Sequence, residues 1–328
     1  MVEQLGYGEG APFSEETHPV EITPEERYVG VRTKKVYDQE IKRPTPWIVK
    51  DGRLFLLRPQ KGAFDTANYT PDQLRTVSIE VITADQISRE RIPQEVAEAI
   101  FTFKRIEDKL PDFTGRSAGL FRNYWGINNS YHQWSKEENE HSNAEALVLT
   151  ATGALTQEQI VEDYLDNLSR TWELPFLTPR QIVLYAYFQE NLTFRNYEGV
   201  AKAAEDEGAM MVAKVMRTIA SDEAYHGVGY RKFAQIFAEF DLEGSIGDAC
   251  YVAVNFRMPA MHLMRDQRKD TLNIIKVGAF NKRMVSEETI YRCLKNLGFV
   301  PDELCREVAN NYWNRQREVA QSSTIPQN

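Results

Sequence analysis

The chain predicts an all-α protein, a bundle of long helices over residues 71–320, with an irregular, extended N-terminal arm over 1–70 and a short tail over 321–328. Three observations carry this. Beyond residue 72 apolar residues recur at helical spacing, and no alternating run of strand type interrupts them up to 320. The candidate helices are long and open on capping residues, and no solenoid period is present, which favours a bundle over a stacked array. The 328 residues are 42% hydrophobic and 27% charged, enough to bury a large core.

In the arm, Pro12, Pro19, Pro24, Pro44, Pro46, Pro59 and Pro71 alternate with short β-branched pieces such as "RYVGVRTKKVY" and "DGRLFLL". Extended structure laid over a larger body is expected. Thr70-Pro71-Asp72 then opens a helical stretch that runs to a break at "PDFTG", as one kinked helix or as two, since Pro93 suits the first turn of a second. Further helices are expected over about 116–150, from Thr156, from Thr178 ahead of Pro179, over 208–240, and over 244–263, 267–283, 286–296 and 302–320.

Charge and composition exclude several classes. A net charge of -9 argues against nucleic-acid binding. No run of about 18 uncharged apolar residues predicts a membrane span. The acidic N-terminus has no apolar leader core. Cys250, Cys293 and Cys305 lack metal-ligand spacing and read as reduced thiols in a cytoplasmic setting.

The chemistry lies in a repeated arrangement. "KEENEHSNAE" places Glu138 three residues before His141, and "SDEAYHGVGY" places Glu223 three residues before His226, in a chain with five histidines. On a helix that spacing puts carboxylate and imidazole on one face, where both can bind one metal ion. Two such pairs, with a Glu from each of two further helices, build a carboxylate-bridged dimetal site in a four-helix bundle. The donor set suits iron or manganese with positions open to dioxygen. A solvated acidic helix face is the competing reading, and Glu140 beside His141 fits it. Between the motifs, Glu190 stands in the apolar run "LYAYFQENLTF", either buried at a metal or at a helix edge with its head in water. Glu137 and Asp222 are placed to accept the outer N–H of the histidine on the opposite helix, or are ordinary surface acids.

The segments "EENEH", "YFQENLTF", "RTIASDEAYH" and "RMPAMHLM" together resemble those of the soluble acyl-acyl-carrier-protein desaturases over roughly residues 120–285. The resemblance implies a ferritin-like diiron bundle: Glu138 and His141 on one iron, Glu223 and His226 on the other, and Glu190 as a carboxylate ligand. It further implies Thr193 beside the dioxygen site and Trp134 on an electron-entry route; their alternatives are a threonine bonded to its own helix and plain core packing. For the first-helix ligand the nearest match, "DQISRERIP", has Arg89 at the ligand place followed by Glu90; Glu80 and Glu95 are the other acids there. The family's Arg is replaced by Glu140, and its Lys-Arg by Ala224-Tyr225.

What the resemblance implies is dioxygen-dependent insertion of a double bond into an acyl chain held on acyl carrier protein. Electrons would come from a ferredoxin-type donor, and the protein would act as a homodimer. The ligand set alone leaves open a diiron oxygenase that hydroxylates a carrier-bound or free substrate, and a metal-binding bundle without turnover. Leu184, Tyr187, Phe188, Met210, Met211 and Met216 either line an apolar channel or form core. Arg265, Arg268, Lys269, Lys276, Lys282 and Arg283 either dock an acidic carrier or form a solvated face.

Overall fold

The computed structural model describes residues 21–43, 45–58, 78–264 and 266–322. Pro12, Pro19, Pro44, Pro59, the Thr70-Pro71-Asp72 cap, Arg265 and the last six residues, for all of which the sequence raised expectations, lie outside them.

The N-terminal region is more regular than its prolines suggest. Helix α1 spans Pro24–Val36 and continues as a π-helical turn, Tyr37–Ile41. Thr23 accepts from Glu26 N–H while the Glu26 carboxylate accepts from Thr23 N–H, and Pro24 takes the first helical position, where its missing N–H costs nothing. This local capping overrides the β-branched content of "RYVGVRTKKVY". A three-stranded antiparallel sheet follows: β1 Trp47–Lys50, β2 Arg53–Arg58 and β3 Ser78–Thr83, with β2 central. Asp51 and Gly52 both take positive φ, 51° and 66°, the tight hairpin geometry whose twist matches the strands it joins. β3 corrects the expectation of unbroken helix beyond 72. "SIEVIT" pairs with β2, Leu54 opposite Ile82, and that cross-strand burial selects strand.

Thr83 then caps α2 (Ala84–Ser88), and α3 (Gln94–Glu107) starts just after Pro93. "PDFTG" is not a break: it lies within α4 (Leu110–Leu120), because Pro111 falls in the first turn and loses no hydrogen bond. The long helices are α5 (Trp125–Ala151), α7 (Pro179–Asp206) and α8 (Met210–Phe240), with α6 (Gln157–Leu168) between the first two. Helices α9 (Leu242–Asn255), α10 (Gln267–Lys276), α11 (Arg292–Leu297) and α12 (Asp302–Ser322) complete the described fold, with a π-helical segment, Met284–Tyr291, before α11.

Helices α3, α5, α7 and α8 form the central bundle, a ferritin-like arrangement in an otherwise helical protein. Its interior has two apolar halves. One holds Trp134, Leu184, Phe188, Tyr230 and Phe233; the other holds Phe103, Leu147, Tyr197, Val215 and Ile219. Along α5, α7 and α8 the polar residues 137–141, 190–193 and 222–226 fall between these halves, so a polar belt crosses a dry core.

Helix α1 lies against the start of α5 without room for a side chain: a Cβ on Gly126 would stand 2.0 Å from the Thr33 backbone carbon. Gly126→Val is therefore expected to force the helices apart at a cost of about 1–3 kcal/mol. Thermal unfolding should show the lowered midpoint; an unchanged midpoint would mean that α1 is not seated there.

Candidate metal centre

Four elements deliver the polar belt. Helix α5 presents Glu138 and His141, α8 presents Glu223 and His226, α7 presents Glu190, and α3 ends on Glu107. Glu138, His141, Glu190, Glu223 and His226 are each at most 7% exposed. Their ligating atoms, with those of Glu107, fall into two groups: Glu107, Glu138, His141 and Glu223 in one, Glu138, Glu190, Glu223 and His226 in the other, the atoms of each within 4.8 Å of one another. Glu138 and Glu223 belong to both. Two carboxylates shared between two sets is the pattern of a bridged metal pair.

Both imidazoles point the same way round. His141 Nδ1 faces inward, 3.1 Å from Glu138 Oε2 and 3.4 Å from Glu223 Oε1. His226 Nδ1 faces inward too, 3.0 Å from Glu138 Oε1 and 3.4 Å from Glu190 Oε2. Outward, His226 Nε2 lies 2.8 Å from Glu137 of α5, and His141 Nε2 lies 3.5 Å from Asp222 of α8. Each histidine thus meets an acid from the opposite helix, a contact that fixes ring orientation.

Arg43, in the turn after α1, ties the two outer acids together, donating to Glu137 at 3.0 Å and to Asp222 at 2.9 Å while lying over the Tyr225 ring. Trp47 of β1 stacks on His141 and donates its indole N–H to Asp222 at 2.7 Å. Glu140, at the family's Arg position, accepts from Val49 N–H and pins β1 to α5. Trp134 donates to Glu190 at 2.9 Å, and the Thr193 hydroxyl lies 2.9 Å from Glu223 and 3.1 Å from each of the Gln189 and Glu190 carbonyls of its own helix.

The donor set fits a metal pair. Glu138 Oε1, Glu190 Oε2, Glu223 Oε1 and His226 Nδ1 are buried and make no hydrogen bond. Burial, then the charges of Glu223 and Glu138, push the Glu190 carboxyl well above its ordinary range, and burial with Glu138 and Glu223 does the same to Glu107. Burial also opposes ionisation of Glu137, but the His226 hydrogen bond and the charges of His226 and Arg43 outweigh it and draw Glu137 down to about 2. Negative groups packed this closely in a dry interior must take up protons or face positive charge. Four carboxylates and two divalent cations cancel.

Glu90 is not among these residues. Its carboxylate accepts from Met211 and Val212 N–H at 2.6 and 2.9 Å, where it caps the first turn of α8. Glu80 pairs with Lys214, and Glu95 is exposed in the first turn of α3. Glu107 stands where a first-helix acid was sought. A sequence signal for it exists: Val96, Ile100 and Phe103 form the buried stripe of α3 at helical spacing, and the next position on that stripe is Glu107. Arg43, Trp47 and Tyr197 had no comparable signal.

Replacing Glu107 by Ala is expected to lower the number of ferrous ions the protein takes up, with Glu90→Ala leaving it unchanged and costing only about 0.5–2 kcal/mol of stability as a lost cap. Iron analysis after anaerobic loading checks this; the reverse pattern would return Glu90 to the centre.

Comparison with known proteins places this geometry. Residues 40–292 match the family described as Fatty acid desaturase. The chain is 31% identical over 198 residues to the chloroplastic stearoyl-[acyl-carrier-protein] 9-desaturase of Carthamus tinctorius, and 30% over 198 residues to that of Ricinus communis. Each match covers 58% of this chain but 46% of the relative, so the matched stretch spans about half the length of those proteins. The X-ray structure of DesA2 from Mycobacterium tuberculosis H37Rv, described as an acyl-ACP desaturase, shares the fold with a TM-score of 0.55 at 14% identity, over 86% of this chain and 96% of that one. The chain belongs to the fatty acid desaturase family.

Proposed function

We propose that this protein is a diiron, dioxygen-dependent desaturase that introduces a double bond into an acyl chain carried on acyl carrier protein. The observation that carries the reading is the pair of buried ligand sets sharing Glu138 and Glu223, in a chain of this family. Glu107 and His141 would hold one iron, Glu190 and His226 the other, and the two shared glutamates both. Bound there, ferrous iron supplies the electrons that activate dioxygen toward an unactivated C–H bond.

The chain's own residues set up that chemistry. Glu137 and Asp222 orient the imidazoles, and Arg43 holds both acids in place. The Thr193 hydroxyl, within hydrogen-bond distance of Glu223 and of the Gln189 and Glu190 carbonyls, would bring a proton beside the centre when it turns to Glu223. A cavity of about 20 Å³ touches Glu107 and Glu138 and is walled by Phe113, Trp134, Trp172 and Gln189. It has room for little more than a water molecule, so a substrate chain reaches the centre only as these side chains move. Holding one carbon there would decide which bond is oxidised. The proposed channel residues divide: Leu184, Tyr187, Phe188 and Met216 are core, while Met210 and Met211 line a surface cavity of about 500 Å³.

That surface cavity also reaches Trp47 and Asp222; its cations Arg43, Lys214 and Arg217 are each paired with an acid of this chain. A ferredoxin-type donor docked there would find a path through Trp47, Asp222 and His141. Trp134, expected on that route, instead bonds Glu190 on the side of the 20 Å³ cavity. Carrier docking on the basic stretch is proposed with Arg268, Lys276 and Lys282; Lys269 and Arg283 already pair with Glu98 and Glu288. No helix among the described residues is long and apolar enough to cross a membrane.

Reconstitution with iron, a ferredoxin system and a panel of acyl carriers under isotopically labelled dioxygen tests the reaction. Product two hydrogens lighter and free of label is expected; labelled alcohol would make the enzyme a hydroxylase. Glu190→Ala and His226→Ala should each abolish turnover and lower iron content with helicity retained, and full activity in either would remove that residue from the centre.

A further inference from the structure

Glu145 is a buried acid that neither ligand set uses. It lies one turn beyond His141 on α5 and is wholly shielded from solvent. Its Oε1 lies 3.0 Å from the Tyr197 hydroxyl, and the same hydroxyl lies 2.8 Å from Glu107 Oε1. Glu145 Oε2 has no partner. Tyr197 is itself buried on α7, its ring edge-on to Phe103 at 5.2 Å.

A phenol has one hydrogen to give and lone pairs to receive with. Set between two carboxyl oxygens at hydrogen-bond distance, it can serve both only if one of those carboxyls returns a hydrogen to it. In the proposed dimetal centre Glu107 would face a cation, so the returned hydrogen is assigned to Glu145. Charge bookkeeping agrees: two divalent ions would match the four carboxylates of the two sets, Glu137 and Asp222 already share the single charge of Arg43, and a further buried negative charge at Glu145 would stand uncompensated. The groups that face Glu145 do not change this. Lys104 is committed to Asp108 at 2.6 Å, Asp108 also accepts from Ser142, and His141 is turned to Glu138 and Glu223. Burial in turn pushes the Glu145 carboxyl upward.

We infer that Glu145, as a neutral carboxylic acid, and Tyr197 form a positioning pair that fixes Glu107: Glu145 donates to Tyr197, and Tyr197 donates to Glu107. One of the two metal positions then depends on a residue that never touches metal. Resting on the dimetal reading above, this inference goes beyond it by assigning two residues outside both ligand sets. The other terminal carboxylate, Glu190, is held by the Trp134 indole instead, so the two positions should respond differently to the same change.

Ferrous iron titrated anaerobically into the metal-free protein, against a competing chelator, tests this. Tyr197→Phe keeps the ring packing and removes the hydroxyl; it should weaken one of the two ions by about 10–100-fold, as loss of a ligand's outer partner does, and leave the other unchanged. Glu145→Ala should do the same. Glu145→Gln keeps a neutral group able to donate to Tyr197 and should bind both ions as the parent does. Two ions held with parental affinity in Tyr197→Phe, or equal weakening of both, would overturn the inference, and so would a Glu145→Gln protein as weak as Glu145→Ala. Failure of the parent protein to bind two ions would instead remove the dimetal reading, and this inference with it.

Discussion

The constraint on which the rest depends is electrostatic. Four carboxylates and two imidazoles converge in a belt between two apolar halves of one helical bundle, at positions almost closed to water. Such a cluster is costly to bury and gains nothing from packing alone. A pair of divalent cations turns the same arrangement from a liability into a set of strong, oriented contacts. The sharing of Glu138 and Glu223 follows from their place on neighbouring long helices at matching depth, each three residues ahead of its own histidine. Helical periodicity places the four side chains of the two motifs, and the apolar halves hold the helices at a fixed distance.

Around this centre the chain uses segments from outside the bundle to hold the ligands still. Arg43 arrives from the stretch between α1 and β1 and Trp47 from the start of β1, and Glu140 binds that strand to α5. Glu140 and Tyr225 are both used structurally: Glu140 on the backbone of β1, Tyr225 beneath the Arg43 guanidinium. The N-terminal region is therefore part of the site and not a cover laid over it, and loosening α1 or the sheet would be felt at the imidazoles. On the far side, Tyr197 and Glu145 hold Glu107 from within the second apolar half. In the proposed centre the two ligand sets are alike but have unlike neighbours, Tyr197 beside Glu107 and Trp134 beside Glu190.

Much of this was legible in the sequence, for identifiable reasons. Residues three apart on one helix share a face whatever the rest of the fold does, so Glu138 with His141 and Glu223 with His226 could be paired from the chain alone. Glu190 was visible because an acid inside "LYAYFQENLTF" contradicts its surroundings. Glu107 was not weighed because the acid was sought in and around "DQISRERIP", at Glu80, Glu90 and Glu95, when the acid that joins the cluster closes the apolar stripe at the far end of α3. Arg43 and Trp47 could not be found by spacing, since they meet Asp222 across more than half the chain and no local rule links them. The strand "SIEVIT" was taken into a helix for the complementary reason: strand is chosen there by pairing with "RLFLLR", a non-local partner that helical periodicity does not see.

The most direct test of the account is an anomalous difference map at the iron edge from crystals of the iron-loaded protein. The account predicts two peaks, one between Glu107 and His141 and one between Glu190 and His226, with Glu138 and Glu223 reaching both. A single peak, or iron bound anywhere outside these six side chains, would contradict it.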